Sequence, residues 1–448
     1  MSPHLPFQYK NSSLYCEAVA LSAVAETVGT PVYVYSKEEL LRRAQAYLGA
    51  AAEIPNHLIC YAVKANGNPI LLRLLAEAGL GADVTSGGEL FLALKAGFSP
   101  DKILFSGVGK TRHEIEMALE AGIHGLHVES EMELELIGRI TTALGKTARI
   151  TIRVNPDIAA ETHPHISTGQ QAHKFGVSPE QAMQMMVQAA EHPLLQPVGL
   201  AVHIGSQITQ LAPFVQAAHF LVELAEETAA FGVKLEYLDV GGGLGIDYNH
   251  NEVPEPADWV AAVTTPIREA GYGVVMEPGR SIVGPAGALL TQVIYTKNQG
   301  DKRFIIADAG MSDLIRPTLY NAHHPIIPVN QSTNQPITQL PNYQLPNYQL
   351  PITNYESTQS TNQPINQFPL ADIVGPICET GDTLGKERDL PHLEPGDLLA
   401  VLQAGAYGFA MSSNYNGRVK AAEVLIDGDT FHIIRQRQGY EHLLDGVE

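Results

Sequence analysis

His57-Leu-Ile-Cys-Tyr-Ala-Val63 runs straight into Lys64-Ala-Asn66. An apolar run of this length without alternation reads as a strand buried on both faces, the kind that parallel sheets contain. The pattern recurs at Leu80–Thr85, Lys102–Phe105, Gly125–Val128, Ala148–Val154, Val198–His203, Leu235–Val240 and Gly273–Met276. Helical stretches lie between, among them Ile70–Ala78 and Leu90–Ala96. In a third, Ile115, Ala118, Leu119 and Gly122 fall at 3–4 spacing. Ser36…Glu39, Thr111…Glu114 and Ser130…Glu133 carry the residue pattern of a capping box. Strand–helix units in such a series predict an α/β protein built on a closed (β/α)8 TIM barrel, over 51–284, rather than a doubly wound sheet.

After Pro285 the pattern changes. Leu289–Tyr295, Arg303–Ala307, Asp397–Leu402, Arg418–Ile426 and Thr430–Ile434 read as short strands between turn residues. They predict an antiparallel β domain, which Val32–Tyr35 is expected to join. That domain would be discontinuous, formed from 1–50 and 285–448 around the barrel. Within it, 331–367 is rich in Gln, Asn, Pro, Thr and Tyr, and repeats itself: PNYQL occurs twice in tandem from Pro341 to Leu350. The repeats lack the periodic apolar face that a stacking solenoid needs, so the segment reads as a low-complexity, disordered polar insert.

Composition narrows the function. Of 448 residues, 28 are Lys or Arg and 48 are Asp or Glu, a net charge of −20. That balance opposes broad binding of a nucleic-acid backbone, which needs clustered cations. It leaves room for a local anion site. No stretch is long and apolar enough to span a membrane, and the first ten residues lack a basic segment followed by an apolar run. Cys16, Cys60 and Cys378 make neither a disulfide framework nor a zinc site. A cytoplasmic protein with a small-molecule task and no metal is expected.

A barrel carries its chemistry at the C-terminal ends of its strands, so the residues there are the candidates. Lys64 ends the first strand. It is either a lysine whose ammonium snorkels to water or one that attacks a carbonyl. Gly241-Gly242-Gly243 follows the seventh strand, where barrels commonly bind phosphate through backbone N–H groups; a tight turn alone is the alternative. Glu277 ends the eighth strand with Arg280 three residues on. The two form a local salt bridge, or Glu277 hydrogen-bonds a ring nitrogen and keeps it protonated. His203 stacks on a ring or is a satisfied core histidine. Glu89 has an ordinary explanation as the partner of Ser86 in a helix cap. A lysine for an aldehyde, glycines for a phosphate and a carboxylate for a ring nitrogen together suit pyridoxal 5'-phosphate.

The chain resembles the barrel-type pyridoxal-phosphate decarboxylases of the ornithine/diaminopimelate/arginine decarboxylase family, which share the alanine-racemase-like fold. The matching strings are Thr30-Pro-Val-Tyr-Val-Tyr-Ser36, Tyr61-Ala-Val-Lys-Ala-Asn66, Ser86-Gly-Gly-Glu89, Ile166-Ser-Thr-Gly169, His173-Lys-Phe-Gly176, His203-Ile-Gly-Ser-Gln207 and Gly241–Gly243. Further on come Glu277-Pro-Gly-Arg280, Asp308-Ala-Gly-Met311, Asp313-Leu-Ile-Arg-Pro-Thr-Leu-Tyr320, Gly375-Pro-Ile-Cys-Glu-Thr-Gly-Asp382 and Gly405-Ala-Tyr407. The likeness covers the chain apart from the insert.

The resemblance implies a set of roles. Lys64 would hold the cofactor covalently, Glu277 would pair with its ring nitrogen, and His203 would stack on the ring. Ser206, Gly243 and the backbone around Gly279 and Arg280 would hold the phosphate. Tyr407 would border cofactor and substrate. Arg280, Arg316, Tyr320 and Glu379 would bind the far end of an amino-acid substrate. Cys378 would be the general acid, and Cys378 and Glu379 would come from the neighbouring subunit of a homodimer with shared active sites. Two arginines suited to clamping a carboxylate, with Glu379 for an ammonium, favour meso-2,6-diaminopimelate, converted to L-lysine and CO2. A decarboxylase of ornithine, lysine, arginine or carboxynorspermidine is the alternative, as is a non-catalytic cofactor-binding homologue. Ser312, Asn321 and His323 depart from the family's usual pattern.

Overall fold

A computed structural model describes residues 6–158, 174–249, 252–331 and 370–447. Most of the 331–367 insert, Ile166–Gly169 and His173 lie outside these residues.

Eight parallel strands close into a barrel in strict chain order. They are β1 (His57–Ala62), β2 (Gly81–Val84), β3 (Ile103–Phe105), β4 (Gly125–Val128), β5 (Ala148–Arg153), β6 (Leu195–Ala201), β7 (Tyr237–Asp239) and β8 (Gly273–Met276). The ring closes where β8 pairs with β1, Val274 opposite His57 and Met276 opposite Ile59. Every run read as a buried strand is one. Five are one to three residues shorter than expected, two have the expected bounds, and β6 starts three residues earlier and ends two earlier.

The helices between them start at their expected caps, with one refinement. Thr111 and Glu114 cap reciprocally, and so do Ser178 and Gln181. Ser36, Ser86 and Ser130 each accept the N–H three residues on, but the acidic partner turns elsewhere. Glu39 pairs with Arg42 and Arg43, Glu89 accepts from Thr85, and Glu133 takes the Lys110 ammonium. A carboxylate finds a guanidinium, an ammonium or a paired N–H and hydroxyl more favourable than one capped backbone N–H. Trp259 sits fully buried under this helical layer, edge-on to Tyr47 at 5.9 Å and Phe214 at 5.7 Å.

The second unit is a nine-stranded sheet. Its long central strand, Gly287–Gln299, pairs antiparallel with Val32–Ser36, with Lys302–Ala307 and with Leu398–Val401. Val32–Ser36 does join, as expected. The sheet is mostly antiparallel, but two pairings are parallel: Val32–Ser36 with Ala422–Asp427, and Lys302–Ala307 with Ala371–Val374. The first joins segments separated by the whole barrel, which serves as the long crossover that parallel neighbours require. A three-stranded N-terminal sheet from Phe7 to Ala20, and the strands Ile326–Pro328 and Thr383–Arg388, were not read from sequence. The N-terminal strands and Ile326–Pro328 run to four residues at most, and Thr383–Arg388 is mostly polar. Among the described residues, no helix is long and apolar enough to cross a membrane.

One hydrophobic core runs through both units, from Leu71 and Phe105 in the barrel to Leu289 and Val401 in the sheet. The seam also carries polar pins. Asn66, just past Lys64, donates through Nδ2 to Tyr35 Oη (3.0 Å) and to the Gly405 carbonyl (3.1 Å). Buried Glu423 accepts from Tyr35 Oη (2.8 Å) and from Asn68 Nδ2 (2.9 Å). These bonds set the Lys64 turn against the sheet.

Candidate active site

The turn Val63–Ala65 caps β1 and presents Lys64 at the barrel mouth, with 35% of its side chain exposed. Its Nζ lies 2.8 Å from Oδ2 of Asp83, a fully buried residue of β2. Burial pulls the ammonium down, but Asp83 and then Glu277 outweigh it and the Lys64 pKa is raised. Burial likewise pushes Asp83 up, yet the lysine holds it below the ordinary carboxylate range. Both groups are therefore charged, and the snorkelling reading of Lys64 does not describe this geometry.

Glu277 sits at the end of β8, buried. Its Oε1 accepts from Ser106 Oγ at 3.4 Å and lies 3.7 Å from Nδ1 of His127. Burial, then the neighbouring Asp239 and Asp83, push its pKa well up. No salt bridge joins it to Arg280. The Arg280 guanidinium donates to Ser206 Oγ (2.9 Å) and to the Tyr248 hydroxyl (3.0 Å), and stacks over the Tyr407 ring at 4.9 Å. Tyr407 adopts a positive φ of 57° and donates its N–H to the Ala65 carbonyl (2.8 Å), which ties it to the lysine turn.

The three glycines carry a second constraint. The Gly241 N–H donates to Asp239 Oδ1 (2.8 Å), and the Gly242 N–H to His203 Nδ1 (3.3 Å). Two of the three N–H groups are thus spent inside the protein, and Gly243 is the half-exposed one of the three. A Cβ on Gly242 would stand 2.1 Å from the Glu277 carbonyl oxygen, and one on Gly241 2.5 Å from that of Val202. Close approach of three strand ends, more than a ligand, requires glycine at both positions. His203 accepts at Nδ1, and desolvation followed by the charges of Arg153 and Lys64 brings its pKa down to about 3, so its ring is neutral.

Arg316 opens the short helix Arg316–Tyr320 in the second unit. Its Nη1 reaches the Tyr248 hydroxyl (2.9 Å) and His324 Nε2 (2.7 Å), while its buried Nε has no partner. Tyr248 therefore bridges the two arginines that sequence reading singled out. Burial would raise its pKa, but Arg280 and Arg316 together lower it. The helix also carries Tyr320, whose side chain is half-buried.

Cys378 and Glu379 are elsewhere. They lie exposed between Ala371–Val374 and Thr383–Arg388, where Glu379 accepts from the Tyr415 hydroxyl. Among the described residues, neither makes a hydrogen bond or ion pair with Lys64, Arg280 or Arg316. Asp382 fixes their loop by accepting from the N–H groups of Met311 and Ile377, both at 2.6 Å.

Sequence reading missed Asp83, His127, Asp239 and Tyr248. For the first three a signal existed: a charged or polar residue inside a run otherwise read as apolar. Tyr248, in the loop after β7, carried none. His127, Asp239 and Glu277 each turn a donor atom inward, all within 4.8 Å of one another.

The pocket suits pyridoxal phosphate by its own chemistry. It offers an ammonium for an aldehyde at one side, a buried carboxyl for a protonated ring nitrogen, and Ser206 and the half-exposed Gly243 for a phosphate. Buried Asp83 Oδ1, His127 Nε2 and Asp239 Oδ2 make no hydrogen bond among the described residues. Such polar lining is unusual in a barrel core unless it serves a ligand.

Comparison with known proteins agrees. The family model described as "Pyridoxal-dependent decarboxylase, pyridoxal binding domain" matches residues 37–284. The chain is 44% identical to the diaminopimelate decarboxylase of Aquifex aeolicus, over 99% of this chain and 97% of that protein. It is 45% identical to that of Pseudomonas aeruginosa, over 98% of each. The crystal structure of diaminopimelate decarboxylase from Helicobacter pylori complexed with L-lysine superposes with a TM-score of 0.85 at 40% identity, covering 95% of this chain and 98% of that one. With the lysine, the glycine turn and the buried carboxyl in place at one barrel mouth, the chain belongs to the pyridoxal-dependent decarboxylase family.

Proposed function

We propose that the protein decarboxylates meso-2,6-diaminopimelate to L-lysine and CO2, as a cytoplasmic homodimer with shared active sites. The observation that carries the substrate is the buried Arg280–Tyr248–Arg316 chain, two guanidiniums joined through one hydroxyl at the cofactor pocket. Two clustered cations with one weak acceptor between them suit a carboxylate on the substrate's far end.

Lys64 would bind the cofactor, Glu277 would pair with its ring nitrogen, His203 would stack on its ring, and Ser206, Gly241–Gly243, Gly279 and the backbone at Arg280 would hold its phosphate, with Gly243 the donor among the three glycines. Bound there, pyridoxal phosphate supplies a sink for the electron pair freed when the Cα–carboxylate bond breaks. The protein's part is orientation. Arg280, Arg316, Tyr320 and Tyr407 would hold the substrate's far end and so fix the direction in which its scissile bond is presented. Cys378 Sγ, delivered by the neighbouring subunit, gives the proton that replaces CO2 on Cα, and Glu379 pairs with the distal ammonium. The exposure of both residues on one protomer supports that reading. No metal enters. The barrel of 51–284 performs the binding, the 1–50 and 285–448 domain presents Cys378, and the 331–367 insert stands outside the chemistry.

Incubation with meso-diaminopimelate and pyridoxal phosphate should release CO2 and L-lysine. Turnover of ornithine with none of diaminopimelate would move the protein to polyamine chemistry. A bound cofactor with no turnover of any diamino acid would make it a non-catalytic homologue.

A further inference from the structure

Behind Glu277 the barrel holds two groups that the roles above leave unused. His127, from the middle of β4, and Asp239, the last residue of β7, are both buried. His127 Nε2 faces Asp239 Oδ2 at 3.5 Å, and its Nδ1 faces Glu277 Oε1 at 3.7 Å. The imidazole lies between two carboxyl groups, one on each nitrogen. Ser106 Oγ, at the end of β3, closes the cluster at 3.2 Å from His127 Nδ1. Asp239 is anchored from the other side, since its Oδ1 accepts the Gly241 N–H.

His127 Nε2 and Asp239 Oδ2 are both buried, stand 3.5 Å apart and make no other hydrogen bond among the described residues. A proton on either atom joins them, but the choice has opposite consequences for Glu277. With Asp239 protonated, its hydroxyl faces Nε2, and the neutral imidazole carries its Nδ1–H on the Glu277 side, within reach of Ser106 Oγ, which donates to the Glu277 carboxylate. With Asp239 ionised, Nε2–H donates to it and Nδ1 presents a lone pair to Glu277. One arrangement stabilises a Glu277 anion, and the other opposes it.

Charge decides which state the fold holds. Cys60 and Lys64 face the cluster from β1 and its turn, Asp83 from β2, Lys110 from the loop after β3, Arg153 from β5 and Tyr237 from β7. Lys64 is matched by Asp83, leaving little positive charge for both Asp239 and Glu277 to be ionised together. Burial raises both carboxyls, Asp239 to about 7 and Glu277 well up, and brings His127 down to about 3, so the imidazole is neutral and the two carboxyls hold a proton between them; a cationic ring nitrogen against Glu277 leaves that proton to Asp239.

We propose that His127 and protonated Asp239 are positioning residues that act through Glu277, presenting an N–H to its carboxylate so that it stays ionised against the cofactor's ring nitrogen. This rests on the assignment of Glu277 to that nitrogen. Neither residue touches substrate, and the arrangement tunes how strongly the bound cofactor withdraws electrons.

The test uses the holoenzyme and two Asp239 variants. Asp239→Asn keeps the acceptor for Gly241 and offers Nδ2–H to His127, imitating the protonated acid. Asp239→Ala removes both. The readouts are the visible absorbance of the bound cofactor titrated against pH, and kcat separated from KM. We expect Asp239→Ala to move the midpoint of the cofactor titration by about one pH unit and to lower kcat by about tenfold, with KM changed less than about twofold. Asp239→Asn should recover most of both losses. His127→Phe, which keeps an aromatic ring and lacks both nitrogens, should behave like Asp239→Ala and serves if that variant does not fold. Equal behaviour of the Asn and Ala variants, or titrations that superimpose on wild type, would overturn the proposal. A wild-type cofactor band that ignores Glu277→Gln would instead overturn the assignment of Glu277.

Discussion

Gly242→Ala adds one methyl group at the point where three strand ends meet. Gly242 has no positive φ, so the change tests steric fit rather than backbone conformation. The new Cβ would lie 2.1 Å from the Glu277 carbonyl oxygen, where real Cβ atoms keep at least 3.0 Å. The neighbour is backbone at the end of β8, so no side chain can swing aside. β7 and β8 must part by nearly 1 Å, which moves Glu277 and strains the Gly242 N–H bond to His203 together. A displacement of about 1 Å at a reacting centre costs on the order of 100-fold in rate, and overpacking costs about 1–3 kcal/mol of stability. We therefore expect kcat/KM to fall about 100-fold, with weaker cofactor binding, measured by CO2 release during cofactor titration of apoenzyme. Gly49→Ala is the control. It lies in the Lys37–Ala51 helix with nothing within 4 Å of its Cβ position, and should gain about 0.5–1 kcal/mol at unchanged activity. If Gly242→Ala kept kcat within about threefold and bound cofactor normally, the close-approach argument would be wrong.

Tyr248→Phe deletes the hydroxyl between Arg280 and Arg316; it should raise KM for diaminopimelate about tenfold with a smaller change in kcat, since a hydrogen bond to a charged group is worth about 1.5–3 kcal/mol. An unchanged KM would separate the arginine pair from substrate. Cys378→Ala should keep the cofactor absorbance and lose most turnover. Mixing it with Lys64→Ala should restore roughly a quarter of wild-type activity, because random re-pairing leaves one intact shared site in half of the dimers; no recovery would place Cys378 in its own subunit's chemistry or outside it. Asp313 is buried and its pKa rises to about 6 through desolvation. An unfolded Asp titrates near 4, so between the two values the folded state binds the extra proton, and stability contributed by Asp313 rises as pH falls through 6. Asp313→Asn should flatten that limb and gain on the order of 2 kcal/mol relative to wild type above pH 7, read from denaturant midpoints at pH 5 and 8. Replacing 331–367 by a short polar linker should leave turnover within about twofold, as a segment with one charge and no periodic apolar face adds little to a core.

The barrel was legible because burial on both faces of a parallel strand leaves a local mark, a continuous apolar run such as His57–Val63, and because βα units in series close in one way. Lys64, Glu277 and the glycines were legible for a related reason. The strand ends are marked in the sequence, and a barrel places its chemistry there. The N-terminal sheet left no such mark, since Phe7–Lys10 and Ser13–Cys16 are short, half-exposed strands. The capping pattern was only half informative: Ser86 and Glu89 stand at the right spacing, yet Glu89 turns to Thr85, a choice set by what surrounds the helix end.

Sequence therefore marked the strand ends and the candidate residues on them, because strand periodicity and motif spacing are properties of a few neighbouring residues. Tertiary structure alone decided whom they meet. Asp83 pairs with Lys64 from 19 positions away, Tyr248 links an arginine just past β8 to one on a short helix of the second unit, and His127 stands between Asp239 and Glu277, which come from three different βα units. Charge states in a buried cluster depend on every neighbour at once, and those neighbours come from the whole ring of strands. The same holds for the glycines. Read along the chain, they were a place for phosphate. In the folded barrel, Gly241 and Gly242 are first the residues that let β6, β7 and β8 end close enough together to form the site.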